Sequence, residues 1–476
     1  MRRCLVVFLL LASLGYAQTP PAPWANSEWV PPPGYHGPTF KLSYKYPTRL
    51  PSGPADPPWI KALHGKPLSY NNSIAYVQAL KDYITPAMKT LLLDYPHWDA
   101  DREHWYNLPW LASMQDPIHG TYTGLNFTPS VFPLSHMTQP QMSTQMIVYY
   151  NDIAAYTLGQ VWGASALDPK LEKCQFPEGS IIVKGAFTTA LADDWSPMEN
   201  SIEWEIYPPV INSDGSLGKP VKAIRVALMQ FDIIVKDTKA APKTGWVFAT
   251  LVYDKNAPGK DGWDKMIPMG AMWGNDPEIL SAYTPNVPLE ENVISPQTPL
   301  YATETLGYGD RLSGPNDGGV SEGNMVDGKF VPRMRVSSCM SCHGSAQWPM
   351  TPPMMEPGLP ANDPTVDPSM NLNAFYPPGS TEWNEWFQNR PGNVPQNPEK
   401  GVIALDYDMN IAIKALPVWW AWKQTQVSIT AGLGDTPTDQ ASKLLLSMPA
   451  FYRKALEHPG SIGTNGKPLK SPTGDQ

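Results

Sequence analysis

The chain predicts an α+β fold: an antiparallel β-sheet core packed with helices from its N- and C-terminal parts. Three observations carry this expectation. Over Ile224 to Lys236, Ala227, Met229, Phe231, Ile233 and Val235 alternate with Gln230, Asp232 and Lys236, the period-2 pattern of a half-buried strand. Ile74, Val77, Leu80, Tyr83, Met88, Leu91 and Leu92 fall near helical spacing over 72–94 despite Pro86, because residues three and four apart share a helix face. Helical spacing returns from Ile411 to Gln426 and from Asp439 to Leu456.

Residues 1–17 read as a secretory signal. Arg2 and Arg3 form a basic start, Leu5 to Leu14 an apolar core, and Gly15-Tyr16-Ala17 a small-x-small cleavage site. No later run reaches the roughly 18 apolar residues of a membrane helix, so no membrane span is expected. Residues 18–60 are proline-rich, with Pro31-Pro32-Pro33 and Pro57-Pro58, yet they carry Trp24, Trp29, Tyr35, Phe40 and Tyr44. Aromatics at that density favour an extended arm draped on the body over a disordered tail. Residues 61–170 read as a helical region, with a second helix from about Gln139 to Val161 through Met142, Met146, Tyr149, Ile153 and Tyr156.

Residues 171–305 read as antiparallel sheet. Strands are expected at Ser180 to Lys184, Ile202 to Tyr207, Ile224 to Lys236 and Trp246 to Tyr253, where β-branched and aromatic residues concentrate. Trp246 to Tyr253 is apolar on both faces, as a central strand would be. Residues 306–357 combine a loop rich in glycine and aspartate with the segment described next, and residues 358–476 form a C-terminal helical region. Trp419, Trp420 and Trp422 there read as core.

Residues 339–343 read Cys-Met-Ser-Cys-His, the spacing that attaches a c-type haem. On a short helix Cys339, Cys342 and His343 stand at i, i+3 and i+4 and point from one face. Two thiols can then bond the porphyrin vinyl groups while the imidazole binds iron as the proximal ligand. One covalently attached haem c is expected. A redox Cys-x-x-Cys, half of a zinc site or a structural disulfide are the competing readings. Zinc would need further soft ligands, and the chain has no second Cys pair. With Cys4 removed in the leader, Cys174 is the one cysteine outside the motif, and it reads as a small buried hydrophobe.

Arg311, Arg333 and Arg335 are the cations nearest in sequence to the motif, and their planar forks suit haem propionates. Met350, Met354 and Met355 follow His343 by 7, 11 and 12 residues. They read as packing at the haem edge, with Met354 or Met355 as an iron ligand the alternative. Loss of Arg2 and Arg3 would leave 33 cationic against 44 acidic side chains. A surface at net −11 disfavours nucleic acid and anionic membrane and suits a basic redox partner.

Four pieces occur in order: Phe176 to Lys184, the alternating strand, Gly245-Trp246-Val247-Phe248 running to Tyr253-Asp254, and Cys339 to His343. The succession resembles the small β-sheet monohaem cytochromes, namely the hydroxylamine-oxidising cytochromes with a lysine-to-haem cross-link and cytochrome c-prime-beta. More closely, the chain resembles a group of large secreted bacterial cytochromes of undefined function, through Asp116-Pro117-Ile118-His119-Gly120 and Tyr156 to Trp162. The resemblance implies an antiparallel sheet wrapped around a five-coordinate haem. It implies a role for Lys184 at the porphyrin edge, and it makes His119 a candidate on the distal side. The chain departs from the small cytochromes in placing Lys184 and Cys339 155 positions apart.

The expected function is that of a periplasmic monohaem c-type cytochrome, which binds haem and passes electrons to or from a redox partner protein or a small-molecule donor or acceptor. The alternative is a haem oxidoreductase or gas-binding protein with an open sixth iron position, taking hydroxylamine, nitric oxide or a peroxide. The sequence leaves the substrate and the oligomeric state open, a homodimer included.

Overall fold

Alternating and β-branched segments collect into one sheet in a computed structural model of the chain. The structure describes residues 23–127, 129–211, 217–280, 287–315, 337–349, 378–396 and 401–430, with short pieces at 323–326, 329–332 and 335. The signal segment, Arg333, Met350, Met354, Met355 and the helix expected over 439–456 lie outside the described residues.

The strands are β1 (Trp105–Tyr106), β2 (Tyr122–Phe127), β3 (Met142–Asn151), β4 (Ile181–Thr188), β5 (Glu203–Ile206), a small ribbon of β6 (Val210–Ile211) and β7 (Leu217–Gly218), then β8 (Ile224–Lys236), β9 (Trp246–Tyr253), β10 (Met266–Met272) and β11 (Asn292–Ile294). Among the described residues they form a nine-stranded antiparallel sheet ordered β1-β3-β4-β8-β9-β10-β11, with β2 also paired to β3 and β5 to β8. Separate two-stranded pieces join β12 (Gly323–Val326) to β13 (Lys329–Pro332) and β14 (Gln347–Trp348) to β15 (Ile403–Ala404). The helices are α1 (Pro58–Ala62), α2 (Ser73–Leu93), α3 (Asp152–Trp162), α4 (Leu300–Thr303), α5 (Cys339–His343), α6 (Thr381–Phe387) and α7 (Leu416–Thr430). No helix among the described residues is long and apolar enough to cross a membrane.

Directly paired residues of neighbouring strands share a face, so the register assigns every side chain. One face carries Phe187, Phe231, Ile233 and Val235 together with Trp204. Helix α2 covers it: Tyr76, Val77, Leu80, Ile84, Met88 and Leu91 are buried, Tyr76 Oη donates to Asp237 Oδ2 at 2.7 Å, and Trp204 Nε1 donates to Leu92 O at 3.2 Å. The opposite face carries Tyr150, Ile182, Lys184, Asp232, Ile234, Phe248 and Thr250. The C-terminal strip from 401 covers this face, with Tyr150 Oη donating to Asp408 Oδ2 at 2.8 Å and Trp246 Nε1 to Asp406 Oδ1 at 2.8 Å.

Two expectations change as a result. The alternating strand was expected to be half-buried, but both faces are covered, and Gln230 and Asp232 are 0% and 5% exposed. The second helix, expected over 139–161 inside an all-helical 61–170 region, is strand β3 followed by helix α3. Met142, Met146 and Tyr149 fit helical spacing, yet Thr144, Ile147 and Val148 between them and Tyr150 just after them are buried too. An apolar run buried on both faces gives no period to read.

The switch from β3 to α3 is made by Asn151. Its Oδ1 accepts from Ala154 N, capping the helix, and from Ile181 N on the next strand, both at 2.9 Å, while its Nδ2 donates to Gly179 O at 3.0 Å. The proline-rich arm lies on the body, with Trp24, Phe40 and Leu42 buried and Phe40 N donating to Pro117 O at 2.9 Å. Gly120, at φ +71°, has no room for a Cβ against the Phe40 ring.

Replacing Asn151 with Ala removes a helix cap and strands the Ile181 amide in the core. Chemical denaturation should show a loss of about 2–4 kcal/mol, the sum expected for a lost cap and an unsatisfied buried donor.

Candidate functional site

The motif helix α5 is a single turn, fixed at both ends by local chemistry. Ser338 forms a reciprocal cap with Ser341: Ser341 N donates to Ser338 Oγ at 2.9 Å, and Ser338 N donates to Ser341 Oγ at 2.8 Å. That pairing satisfies amides a helix start leaves open. Ser338 Oγ donates onward to Asn275 Oδ1 at 2.8 Å. The turn ends at Gly344, whose N–H reaches Met340 O at 2.7 Å, five residues ahead of Pro349. Ahead of the motif, Tyr308 N meets Ser337 O at 2.8 Å and Cys339 N meets Leu312 O at 2.9 Å.

Cys339 is buried and Cys342 half-buried. Cys342 packs between the main core and an aromatic cluster of Tyr308, Trp383, Trp386 and Phe387. The His343 ring stands edge-on to Phe248 of β9, with centroids 4.8 Å apart and planes at 66°. Its Nδ1 lies 2.9 Å from Tyr407 O. A carbonyl only accepts, so Nδ1 carries the proton and the neutral ring has its lone pair on Nε2.

The Tyr407 carbonyl is aimed by a left-handed pair, Asp406 at φ 47° and Tyr407 at φ 68°. Two such non-glycine residues in succession cost on the order of 1–3 kcal/mol each, and the surroundings hold them there. Asp406 Oδ1 accepts from Lys236 Nζ at 2.7 Å and from Trp246 Nε1 at 2.8 Å, and Oδ2 accepts from Phe176 N at 2.7 Å. Gly392 packs so close to that carboxylate that a Cβ would collide with it. Tyr407 Oη donates to Arg390 O at 2.8 Å, and Arg390 Nη2 returns to Gly344 O at 3.2 Å at the end of the motif helix. Sequence reasoning missed Asp406, Tyr407 and Arg390. Their partners are tens to hundreds of positions away, and no local pattern marks them.

Lys184 shares the sheet face on which His343 packs. It stands mid-strand, not at a strand end, and is not solvated: its Nζ is 2.8 Å from Asp232 Oδ2 with the side chain 12% exposed. Gln230 Nε2 donates to both Asp232 oxygens at 2.8 and 2.9 Å, and Thr250 Oγ1 donates to Oδ1 at 2.9 Å.

His119, in contrast, stacks on Trp204, with centroids 4.2 Å apart and planes at 11°, on the α2 side of the sheet. The sheet therefore separates His119 from His343, and His119 is not placed to serve as a ligand opposite it. Burial pushes the His119 imidazole down to about 4. Asp116 builds its loop, accepting from Ile118 N, His119 N and Thr121 N.

Arg311 is fully buried, and its guanidinium is consumed by main-chain carbonyls. Nε donates to Asn275 O at 2.7 Å, Nη1 to Tyr308 O at 2.9 Å, and Nη2 to Asp276 O at 2.8 Å and Ile279 O at 3.0 Å. It clamps the loops beside the motif, and its fork is not open to a propionate. Arg335 pairs with Asp310 at the surface, while Arg333, Met354 and Met355 lie outside the described residues. Cys174 is buried beside Leu405 O at 3.7 Å, and burial pushes its thiol well up, as suits a small core residue. Of the three tryptophans in α7, Trp419 is buried, Trp420 is 39% exposed, and Trp422 packs on Trp110 at 5.0 Å.

No protein-family description, curated protein or solved structure matches this chain.

Asp406→Asn keeps the shape of the carboxylate but leaves the Lys236 ammonium, 12% exposed, without its anion. A loss of about 3–5 kcal/mol in chemical denaturation is expected for breaking one side of a buried pair. His119 gives a pH signature. Its folded pKa lies below the ordinary 6.5, so the unfolded chain takes up the proton first, and stability present above pH 6.5 is lost as pH falls through about 4. At ~1.4 kcal/mol per pKa unit the loss is about 3 kcal/mol. The denaturation midpoint of the native chain should fall across that window relative to that of His119→Gln, a comparison that cancels the opposite contribution of Asp408, whose carboxyl burial raises to about 6.

Proposed function

We propose that the chain is a periplasmic monohaem c-type cytochrome that carries electrons through one covalently attached haem. The observation that carries this reading is the His343 to Tyr407 hydrogen bond. A proximal histidine needs its lone pair on one nitrogen and a fixed ring orientation, and a hydrogen bond from the other nitrogen to a carbonyl provides both. The bond is made by the histidine of the Cys-x-x-Cys-His turn, the residue that would ligate the iron.

The residues present fit such a group. Cys339 and Cys342 offer thiols one helical turn apart, and His343 follows on the same face. Tyr308, Trp383 and Phe387 make an apolar wall beside Cys342. Trp383 Nε1 and Arg390 Nε are buried donors without partners among the described residues, which suits carboxylates at the rim of a porphyrin. Bound there, the haem supplies a one-electron iron couple. Around it the chain's own groups do the rest: Tyr407 O holds the His343 ring, Phe248 packs on that ring's edge, and Asp406 fixes the loop. An acidic surface suits a basic partner protein, and the secretory signal directs the chain to the compartment where haem is attached.

Expression in a host that matures c-type cytochromes tests the reading. The exported protein should be coloured, with an intact mass higher by one haem, and the Cys339→Ala/Cys342→Ala variant should be colourless. A carrier with two protein ligands leaves its ferrous spectrum unchanged under carbon monoxide, whereas a changed spectrum supports the open-site alternative. Colourless native protein with unmodified sulfurs would end both readings.

A further inference from the structure

Lys414 sits in the π-helical turn Ile411–Ala415 that leads into α7. It lies seven residues beyond Tyr407, whose carbonyl holds His343. Turns of this type add a residue to the helix and recur at functional sites. The residue is 7% exposed. Its ammonium lies 5.6 Å from the centre of the Tyr122 ring, and among the described residues it has neither a hydrogen bond nor an ion pair. Burial alone lowers its pKa to about 8.

Other buried cations are handled differently. Lys236 has Asp406, Lys184 has Asp232, Lys81 donates to Asp264 O at 3.1 Å, and Arg311 and Arg390 bond main-chain carbonyls. The Tyr122 hydroxyl donates to Asn410 Oδ1 at 3.1 Å, and the ring meets the cation with its π system. A ring face offsets only a small part of the cost of burying a charge. Register puts Tyr122 on the same sheet face as Asp232 and Phe248, through Met146, Ala186 and Gln230.

We infer that Lys414 is the binding group for a carboxylate that enters over Tyr122 on the face of the sheet that carries the motif helix. The carboxylate has two sources, a porphyrin propionate or a free monocarboxylate. The first rests on the proposed haem attachment and the second does not.

Intact mass first establishes whether the native protein carries haem. Lys414→Met and Lys414→Arg are then compared with it by redox titration, resonance Raman spectroscopy and thermal melting with and without acetate. Methionine matches the stem length and removes the desolvated charge, so this variant is expected to fold. If a propionate is the partner, Lys414→Met lowers the reduction potential and shifts the propionate bending bands, while Lys414→Arg keeps both. If a free carboxylate is the ligand, acetate raises the melting temperature of the native protein and of Lys414→Arg but not of Lys414→Met. Unchanged potential, bands and acetate response in Lys414→Met overturn the inference. Should the native protein lack haem, the function proposed above fails by itself and the acetate melts alone decide the role of Lys414.

Discussion

The buried carboxylate of Asp406 ties together three parts of the chain that are remote in sequence. It receives a lysine from the end of β8, an indole from the start of β9 and an amide from the segment ahead of β4. Such a charge is tolerated in the interior only because each oxygen is hydrogen-bonded and one of its donors is a cation. The same bonds press the C-terminal strip against the sheet and keep two consecutive residues in the left-handed region. From that loop a single carbonyl reaches the histidine of the motif. Geometry at His343 is thus inherited from an ion pair in the sheet.

The sheet itself works as a partition. Its α2 side is conventional packing, with helix α2 laid across Phe231, Trp263 and Trp204. The other side carries an unusual density of buried polar groups: Lys184 with Asp232, Gln230 and Thr250, then Lys236 with Asp406, then Tyr150 with Asp408. Burial pushes the Asp408 carboxyl up to about 6. Polar networks of this kind specify one arrangement because each alternative leaves a group unsatisfied. Here they mark the side on which the Cys-x-x-Cys-His turn sits.

Legibility in the sequence followed the physics of period and distance. Strands β8 and β9 were visible to the residue, since one alternates and the other is a bounded run of β-branched and aromatic side chains. Helix α2 was visible because Val77, Leu80, Met88, Leu91 and Leu92, all buried, recur near helical spacing. Strand β3 was misread because both of its faces are buried and it runs straight into a helix, so spacing alone could not separate the two. Strand β10 went unread for a related reason, having Pro268 and Gly270 inside it at a register shift. At the site, the cysteines and histidine declare themselves by spacing. The arginine expected to meet a propionate instead holds four main-chain carbonyls, and the groups that aim His343 come from 63 and 64 positions further on. Contacts of that range leave no trace in a local pattern.

The acceptor for His343 is a peptide oxygen, not a side chain, and this limits how such a centre can be retuned. No single codon change deletes a main-chain carbonyl, and none turns it into a carboxylate that would draw the ring toward imidazolate. Adjustment of the His343 hydrogen bond must come through the shape of the 405–409 loop, by lengthening or tilting that one bond. Variation at Asp406, Gly392 or Arg390 would act as a fine control on a contact that itself stays fixed, so such changes should alter the setting of the His343 ring by degrees and not switch it.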